Sequence, residues 1–437
     1  MSVRILLCFS VLLTVFSAHS SPWINPDDRF LHSSLQLLQK SGKISLPLSS
    51  YPVSWVAVVQ QLGALDRSKL TDAELLAVSR LMTAADFARA ENIQTLILSA
   101  STEPVGSGLQ GARFDEAALL GVMSEHKGYN WAVGLRTNFR VDARDDKEQH
   151  FDGSYAAYTF DNWIISFSQQ QLWLGSTQSQ GEQLSWQGRA PKTIQLSRLN
   201  PSLSLFSDEL TQIPTAIRLI VGEMPGSVSL RDARFAIASI NVLPSARIEL
   251  GMTYAQLRDL PETDALVSQV ISSEPIHELQ FDFRYLLGTA GLYGQINRQD
   301  NAQASANQYS IGTDLHLWLN GWQSTFFAEY RYLQRDFFNW RQPESFQQSP
   351  LIEPLAIKNN KVLGAYFYRA AGVGLSLKIN HLEYDINGLD NSHLLYHLGG
   401  QYPLWRGLLT AELQHSAKKV AEISSRWQGA VRYEYRW

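Results

Sequence analysis

The chain has 437 residues, with 37 Lys and Arg against 41 Asp and Glu, a formal charge of −4, 45% apolar residues and one cysteine. That length can bury a large core, the charge balance gives no basic surface for nucleic acid, and a lone cysteine excludes a disulfide scaffold and a thiolate metal site. Affinity and chemistry must come from other side chains.

The first residues carry one basic side chain, Arg4, then an apolar run from Ile5 to Phe16 and the small-residue end Ala18-His19-Ser20. This is the layout of a secretory signal peptide over residues 1–20, cleaved after Ser20. A membrane anchor would need about 20 apolar residues. Cys8 lies inside the segment, preceded by Leu7 where lipid attachment needs a small residue, so the mature chain is expected to have neither thiol nor lipid anchor. Loss of Arg4 leaves 36 basic against 41 acidic residues, a charge near −5.

Residues 21–90 have helical spacing. Asn25-Pro26-Asp27-Asp28 reads as a cap and acidic first turn, followed by Phe30, Leu31, Leu35, Leu37 and Leu38, with Gly42 as the stop. A second helix is expected from Ser54 through Trp55, Val58, Val59 and Leu62. A third starts at the capping box Thr71-Asp72-Ala73-Glu74, with Leu75, Leu76, Leu81, Met82 and Phe87 as its apolar face. Three small helices packed on one another or on a larger body account for this segment without a ligand.

After residue 110 the period changes to two. Trp131, Val133, Leu135 and Phe139 alternate with Ala132, Gly134, Arg136 and Asn138, and Leu279, Phe281, Phe283, Tyr285 and Leu287 alternate with Gln280, Asp282 and Arg284. The pattern returns over 309–319 and 326–335, and the chain ends on Trp427, Val431, Tyr433, Tyr435 and Trp437 opposite Gln428, Arg432, Glu434 and Arg436. Segments of about ten residues suit a tilted membrane-spanning strand. A soluble sandwich or propeller also alternates, but here charge recurs on the inward face and Tyr and Trp gather at segment ends as interfacial girdles do. With no mature run of about 18 apolar residues, a closed barrel is the remaining way to cross a membrane.

With both ends of the mature chain in the periplasm the strand number is even. Tight periplasmic turns are expected near 402–405, 370–372, 320–321, 287–288, 242–245 and 160–162, and long external loops at 141–150, 174–191, 258–276, 298–307, 335–360 and 384–391. Sixteen strands follow from about residue 129, and a further pair between about 92 and 124 completes eighteen. The fold class is therefore mainly β: an antiparallel outer-membrane β-barrel of about 18 strands over 91–437, with a small N-terminal periplasmic helical bundle over 21–90.

Several stretches resemble the Wzi capsule-assembly family of lectin-like outer-membrane barrels. They are Trp23-Ile24-Asn25-Pro26-Asp27-Asp28-Arg29, Pro47-Leu48, Tyr51-Pro52 ahead of Trp55, and Asp161-Asn162-Trp163. The likeness continues at Gln169-Gln170-Gln171-Leu172-Trp173-Leu174-Gly175, Arg189-Ala190-Pro191, Phe281-Asp282-Phe283-Arg284-Tyr285, Leu292-Tyr293-Gly294-Gln295 and Phe327-Ala328-Glu329-Tyr330. Where the family has a Gly-Arg-Gln start and a Trp-Trp-Gly-Pro end, this chain has Ser168-Gln169-Gln170 and Leu172-Trp173-Leu174-Gly175-Ser176. The resemblance implies an eighteen-stranded barrel with a periplasmic helical bundle, and a part in attaching capsular polysaccharide. It names no sugar and no catalytic residue.

No catalytic constellation stands out: there is no Gly-x-Ser-x-Gly elbow, phosphate loop or dinucleotide fingerprint. His393 and His397 share a strand face, which sets them about 13 Å apart, too far for one ion. Inward pairs such as Glu329 with Arg331, Asp282 with Arg284, and Arg432 with Glu434 are expected as lumenal salt bridges rather than proton shuttles. No cofactor or metal is expected. For polysaccharide binding, loop 335–360 supplies Phe337, Phe338, Trp340 and Arg341, and loop 174–191 supplies Trp186 and Arg189: aromatic faces for sugar C–H surfaces and guanidinium for hydroxyls or carboxylates. Each loop could equally fold inward and fill the lumen.

The leading expectation is a non-enzymatic surface protein that binds and anchors, or helps assemble, capsular or secreted polysaccharide. A porin or sugar-uptake channel is the alternative, and an outer-membrane enzyme on lipid or glycan the third. Expected partners are the polysaccharide, outer-membrane lipid and, during biogenesis, the barrel-assembly machinery; the protein is expected to be a monomer.

Overall fold

The period-two segments form strands that pair with their neighbours in sequence, until the last closes on the first. The computed structural model describes residues 22–24, 28–102, 116–143, 147–178, 183–184, 190–203, 213–224, 233–259, 275–300, 305–334, 337, 356–386, 389–416 and 427–437. The expected signal peptide at 1–20 lies outside them.

The barrel begins with β1 (Asn92–Ser101), β2 (Ala118–Lys127), β3 (Trp131–Val141), β4 (Tyr155–Phe160), β5 (Trp163–Ser168) and β6 (Lys192–Arg198). It continues through β7 (Thr215–Glu223), β8 (Arg234–Ser245), β9 (Ile248–Arg258), β10 (Ile276–Leu287), β11 (Ala290–Asp300) and β12 (Ser305–Leu319). The circuit is completed by β13 (Trp322–Leu333), β14 (Ala356–Arg369), β15 (Gly374–Ile386), β16 (Leu389–Leu404), β17 (Gly407–Ser416) and β18 (Trp427–Arg436). The two-residue piece Gln149–His150 pairs with β3 beyond the end of β4, so it belongs to that strand's course and the closed barrel counts eighteen strands. The seam is antiparallel, with Tyr433 opposite Leu98, and Trp437 exchanges two backbone hydrogen bonds with Gln94 at 2.9 and 3.0 Å.

Tight turns gather at one end of the barrel, where the N-terminal helices lead into β1 and where the chain ends. At 320–321 both turn residues have positive φ, 48° for Asn320 and 80° for Gly321, the geometry whose twist matches a two-residue hairpin. The turn expected at 242–245 is instead strand. β8 runs on to Ser245, with an irregular register between Val242 and Ser245 that accommodates Pro244, and the chain reverses at 246–247. The connection 199–214 falls at this same end and is longer than the barrel rule leads one to expect. At the other end the loop expected over 384–391 shrinks to 387–388, that over 298–307 to 301–304, and that over 335–360 to 334–355.

Outward side chains form an apolar belt. Leu135 is 63% exposed and Phe167 and Leu363 are each 60% exposed, amid similarly exposed Leu, Ile, Tyr and Phe on strand after strand. Water does not tolerate a contiguous apolar surface of that extent, so the belt is the lipid-facing surface of a membrane barrel.

The helices are α1 (Arg29–Lys40), α2 (Trp55–Gly63) and α3 (Asp72–Ala88). Asp28 caps α1 through Leu31 N–H at 3.0 Å, and Gly42, at φ 69°, ends it in the left-handed region. The capping box of α3 forms as expected. Its packed face differs: Ala77, Val78, Leu81, Ala85 and Ala88 are buried while Leu75 and Phe87 are exposed. Small residues let α3 approach α1 closely, and that contact outweighs the burial of its larger side chains.

Candidate functional site

Every residue of α1 is buried, polar ones included. An amphipathic helix on a surface would leave His32, Gln36 and Lys40 wet. Here they are dry because the helix is sunk into the tight-turn mouth of the barrel, and its polar groups meet lumenal ones. Lys40 Nζ pairs with Asp314, whose other oxygen accepts from Gln178 Nε2 at 2.9 Å and lies 3.8 Å from Arg284. Burial draws the Lys40 amine down to about 8 against the opposing pull of Asp314, which leaves it largely charged at neutral pH. Ser33 Oγ and Thr325 Oγ1 are 3.1 Å apart, and Gln39 donates to Glu249 at 2.8 Å. His32 sits 2.9 Å from Gln36, its imidazole held neutral by burial and by Arg29.

The second half of the plug comes from the opposite end of the barrel. Beyond β5 the chain turns inward, and Leu172–Leu174 pairs antiparallel with Ser50–Tyr51 of the N-terminal segment. Trp173 is 1% exposed. Its ring lies under the Arg29 guanidinium at 4.5 Å, meets His32 edge-on at 5.5 Å, and donates its N–H to Gly175 O at 3.0 Å. Further along, Ser176 N–H donates to Asp282 at 3.2 Å and Gln178 N–H to Glu329, which also accepts from Tyr293 OH at 2.8 Å. The Gln-Gln-Gln-Leu-Trp-Leu-Gly stretch is thus a strap that crosses the lumen and adds a strand to the helical segment.

These contacts revise the expected salt-bridge ladders. Arg432 and Glu434 do pair, at 2.7 Å. Asp282 and Glu329, however, turn their carboxylates to backbone amides of the strap, and Arg284 faces Asp314 across two strands. A strap that must bring bare N–H groups into the lumen needs anions there, and a neighbouring arginine cannot replace them. The strap's first residues therefore lie in the interior, which corrects the expectation of an external loop starting at 174. Trp186 and Arg189 are outside the described residues. The far end of that connection is tied down at the loop-side rim: Ala190 N–H donates to Asp152 at 3.2 Å, and Gln169 Nε2 donates to the same carboxylate at 2.7 Å.

Of the other candidate glycan residues, Phe337 is half-buried, with its N–H donating to Gln334 O at 3.0 Å. Phe338, Trp340 and Arg341 are outside the described residues, so the candidates are not brought together in what is described. His393 and His397 are both buried on β16; His393 bonds Ser416 Oγ at 3.0 Å. No group of metal-ligating side chains occurs among the described residues.

Lys40, Glu249, Asp314 and Trp173 carry the plug and were not singled out from sequence as site residues. Only Trp173 had a local signal, an apolar triplet inside a polar connection. The Lys40–Asp314 pair joins positions 274 residues apart and left none.

Among solved structures, the chain is similar to Wzi, an outer membrane protein involved in group 1 capsule assembly in Escherichia coli and a carbohydrate-binding β-barrel. The TM-score is 0.77 over 95% of this chain and 99% of that one, at 16% identity. Pseudomonas aeruginosa OccK2 (OpdF) aligns with 79% of this chain and 96% of its own, at a TM-score of 0.49 and 11% identity. No protein-family model and no curated protein sequence matches. The chain therefore shares the fold of Wzi, as the scattered sequence resemblance implied.

Proposed function

We propose that this chain is an outer-membrane protein that holds a capsular or secreted polysaccharide at the cell surface and passes no solutes through its lumen. The observation that carries the reading is the plug: α1 from one end and the strap from the other meet in the barrel, with Lys40, Asp314, Glu249, Asp282 and Glu329 engaged in bonds between plug and wall. A diffusion channel keeps such groups in water, along the path of its solute. The shared fold with a carbohydrate-binding barrel supports the same reading. In it, the helices sit at the periplasmic mouth and β13 and β14 are joined at the medium-facing end, while Gln183–Leu184 pair with Leu172–Trp173 of the strap. Phe337, Phe338, Trp340, Arg341, Trp186 and Arg189 then offer stacking and charge-assisted bonds, repeated along a polymer through many weak contacts. The protein works as a single copy in lipid, delivered by the barrel-assembly machinery, and is not an enzyme.

The test substitutes Phe337, Phe338, Trp340 and Arg341 together and compares cell-bound with shed polysaccharide. Polymer is expected in the medium while the heat-modifiable folded band persists. Full retention by a folded variant would remove this loop from the binding surface. Large ohmic steps from the purified native chain in planar bilayers would replace the reading with that of a channel.

A further inference from the structure

Most strand glycines of this barrel yield room to a neighbour. A Cβ on Gly312 would meet the Tyr293 ring at 2.4 Å and one on Gly364 the Phe327 ring at 2.2 Å. Among the strand glycines whose surroundings are described, only two lack a side-chain atom within 2.7 Å of that position. On Gly400 of β16 and Gly429 of β18 an added Cβ would find nothing closer than 3.8 Å, and neither residue has positive φ. Glycine inside a strand weakens it, and where no turn and no neighbouring side chain requires it, the remaining reason is a close approach from outside the chain. Both face the lipid side: Gly400 pairs with the exposed Leu375 and with Ala411, and Gly429 with the exposed Leu413. Together with Leu398 these residues line a depression of about 650 Å³ in the apolar belt. Depressions of about 500 and 430 Å³ elsewhere on the belt contain no glycine with such open room.

Two residues nearer the loop side on β16, β17 and β18, and on the same outward face, stand Tyr396, His415 and Trp427, which pair in register. Their rings stack, Tyr396 on His415 at 6.1 Å between centroids and His415 on Trp427 at 4.1 Å, and Trp427 is 55% exposed. At the tight-turn end of β18, Tyr435 and Trp437 stack in the same way. The strand between these two aromatic ends crosses the apolar band, so the ring row marks the loop-side interface and the depression lies in the hydrocarbon just beneath it. A void in a wall that faces lipid forfeits contacts until an aliphatic chain fills it, and an exposed ring row suits the C–H face of a sugar. Beside the row, Glu383 lies 2.6 Å from Lys361 and 3.5 Å from His381, which leaves the rings as the recognition element for a head group among the described residues. We infer that this surface is a glycolipid site, with one aliphatic chain in the depression and the first sugar against the Trp427 and Tyr396 rings. The inference stands on the lipid-facing belt and goes beyond the polysaccharide reading, adding a lipid-borne sugar as a ligand.

The experiment uses the full chain in detergent micelles, mixed with a monohexosyl diacylglycerol or with phosphatidylglycerol of the same acyl chains, and reads bound lipid by native mass spectrometry. The native chain should hold the glycolipid about fivefold more tightly than the phospholipid. Gly400→Leu combined with Gly429→Leu should fill the depression and cut glycolipid binding by about fivefold or more. The folded band should persist in this variant, because both positions have ordinary φ and open room. If the double variant does not assemble, Gly429→Leu alone reads the same depression. Trp427→Leu should bring glycolipid binding down to the level of the phospholipid, which separates the head from the chain. Equal binding of the two lipids by the native chain, or glycolipid binding untouched in the folded leucine variants, would overturn the site. So would a dimer of the native chain that the glycine substitutions abolish, since the occupant would then be a second copy.

Discussion

Two sides of the same lumen are joined to the inserted segments by different chemistry. From β9 to β13, Glu249, Asp282, Asp314 and Glu329 are each answered by an amine, amide or hydroxyl carried in on α1, the strap or an adjacent strand. From β14 onward the inward side that meets α1 is ring-packed instead: Phe30 of α1 lies on Tyr368 with 3.7 Å between ring centroids, and Phe327, Val362 and Tyr366 join the cluster. The difference shows that one side of the interior is fastened to the plug by charge and the other by aromatic packing. Strands alone cannot decide it, since both walls alternate alike; what decides it is where the two inserted segments lie.

The largest effect should come from removing the insertion. Deleting residues 22–90 should leave a barrel that still inserts, with its C-terminal strand and apolar belt intact, but that unfolds at a lower temperature and conducts in planar bilayers. A truncated protein as heat-resistant and as silent as the full chain would place the closure elsewhere. Next, Asp314→Ala leaves Lys40 buried without its carboxylate and should cost about 3–5 kcal/mol in urea unfolding followed by the folded band. Asn380→Ala on the opposite wall should cost little, and equal losses would erase the distinction between the walls.

On the outer face, Val431→Arg places a charge against lipid and should cost about 2–4 kcal/mol if near the midplane, read as reduced assembly in vesicles. Assembly equal to that of the native chain would show that β18 does not present this face to lipid. Smallest of all, Leu75→Gln on the exposed side of α3 should change stability by no more than about 0.5 kcal/mol. A loss of several kcal/mol would restore the expected Leu75 face and displace the Ala77–Val78–Leu81 one.

Much of this architecture was legible in the order of residues. Alternation, tight-turn residues and the terminal Trp437 specify a closed barrel and its parity, because strand geometry has a strict period and an open edge has no partner in lipid. The capping residues Ser54 and Thr71 mark helix starts for a similarly local reason, the unpaired N–H groups of a first turn, whereas α1 is capped by Asp28, which the sequence pattern places in an acidic first turn after Asn25. Even the bulge at Pro244 hides only by a few residues.

What the order of residues left undecided is which polar groups meet. Inward Asp282 with Arg284 and Glu329 with Arg331 look like neighbours two residues apart, yet Asp282 and Glu329 bond the strap and Arg284 faces Asp314 beyond the intervening β11. Local periodicity determines which face a side chain occupies. Only the tertiary structure determines what fills the space that face encloses, because that depends on α1 and the strap meeting from opposite ends of the barrel and on the low-dielectric interior that makes every unanswered charge costly.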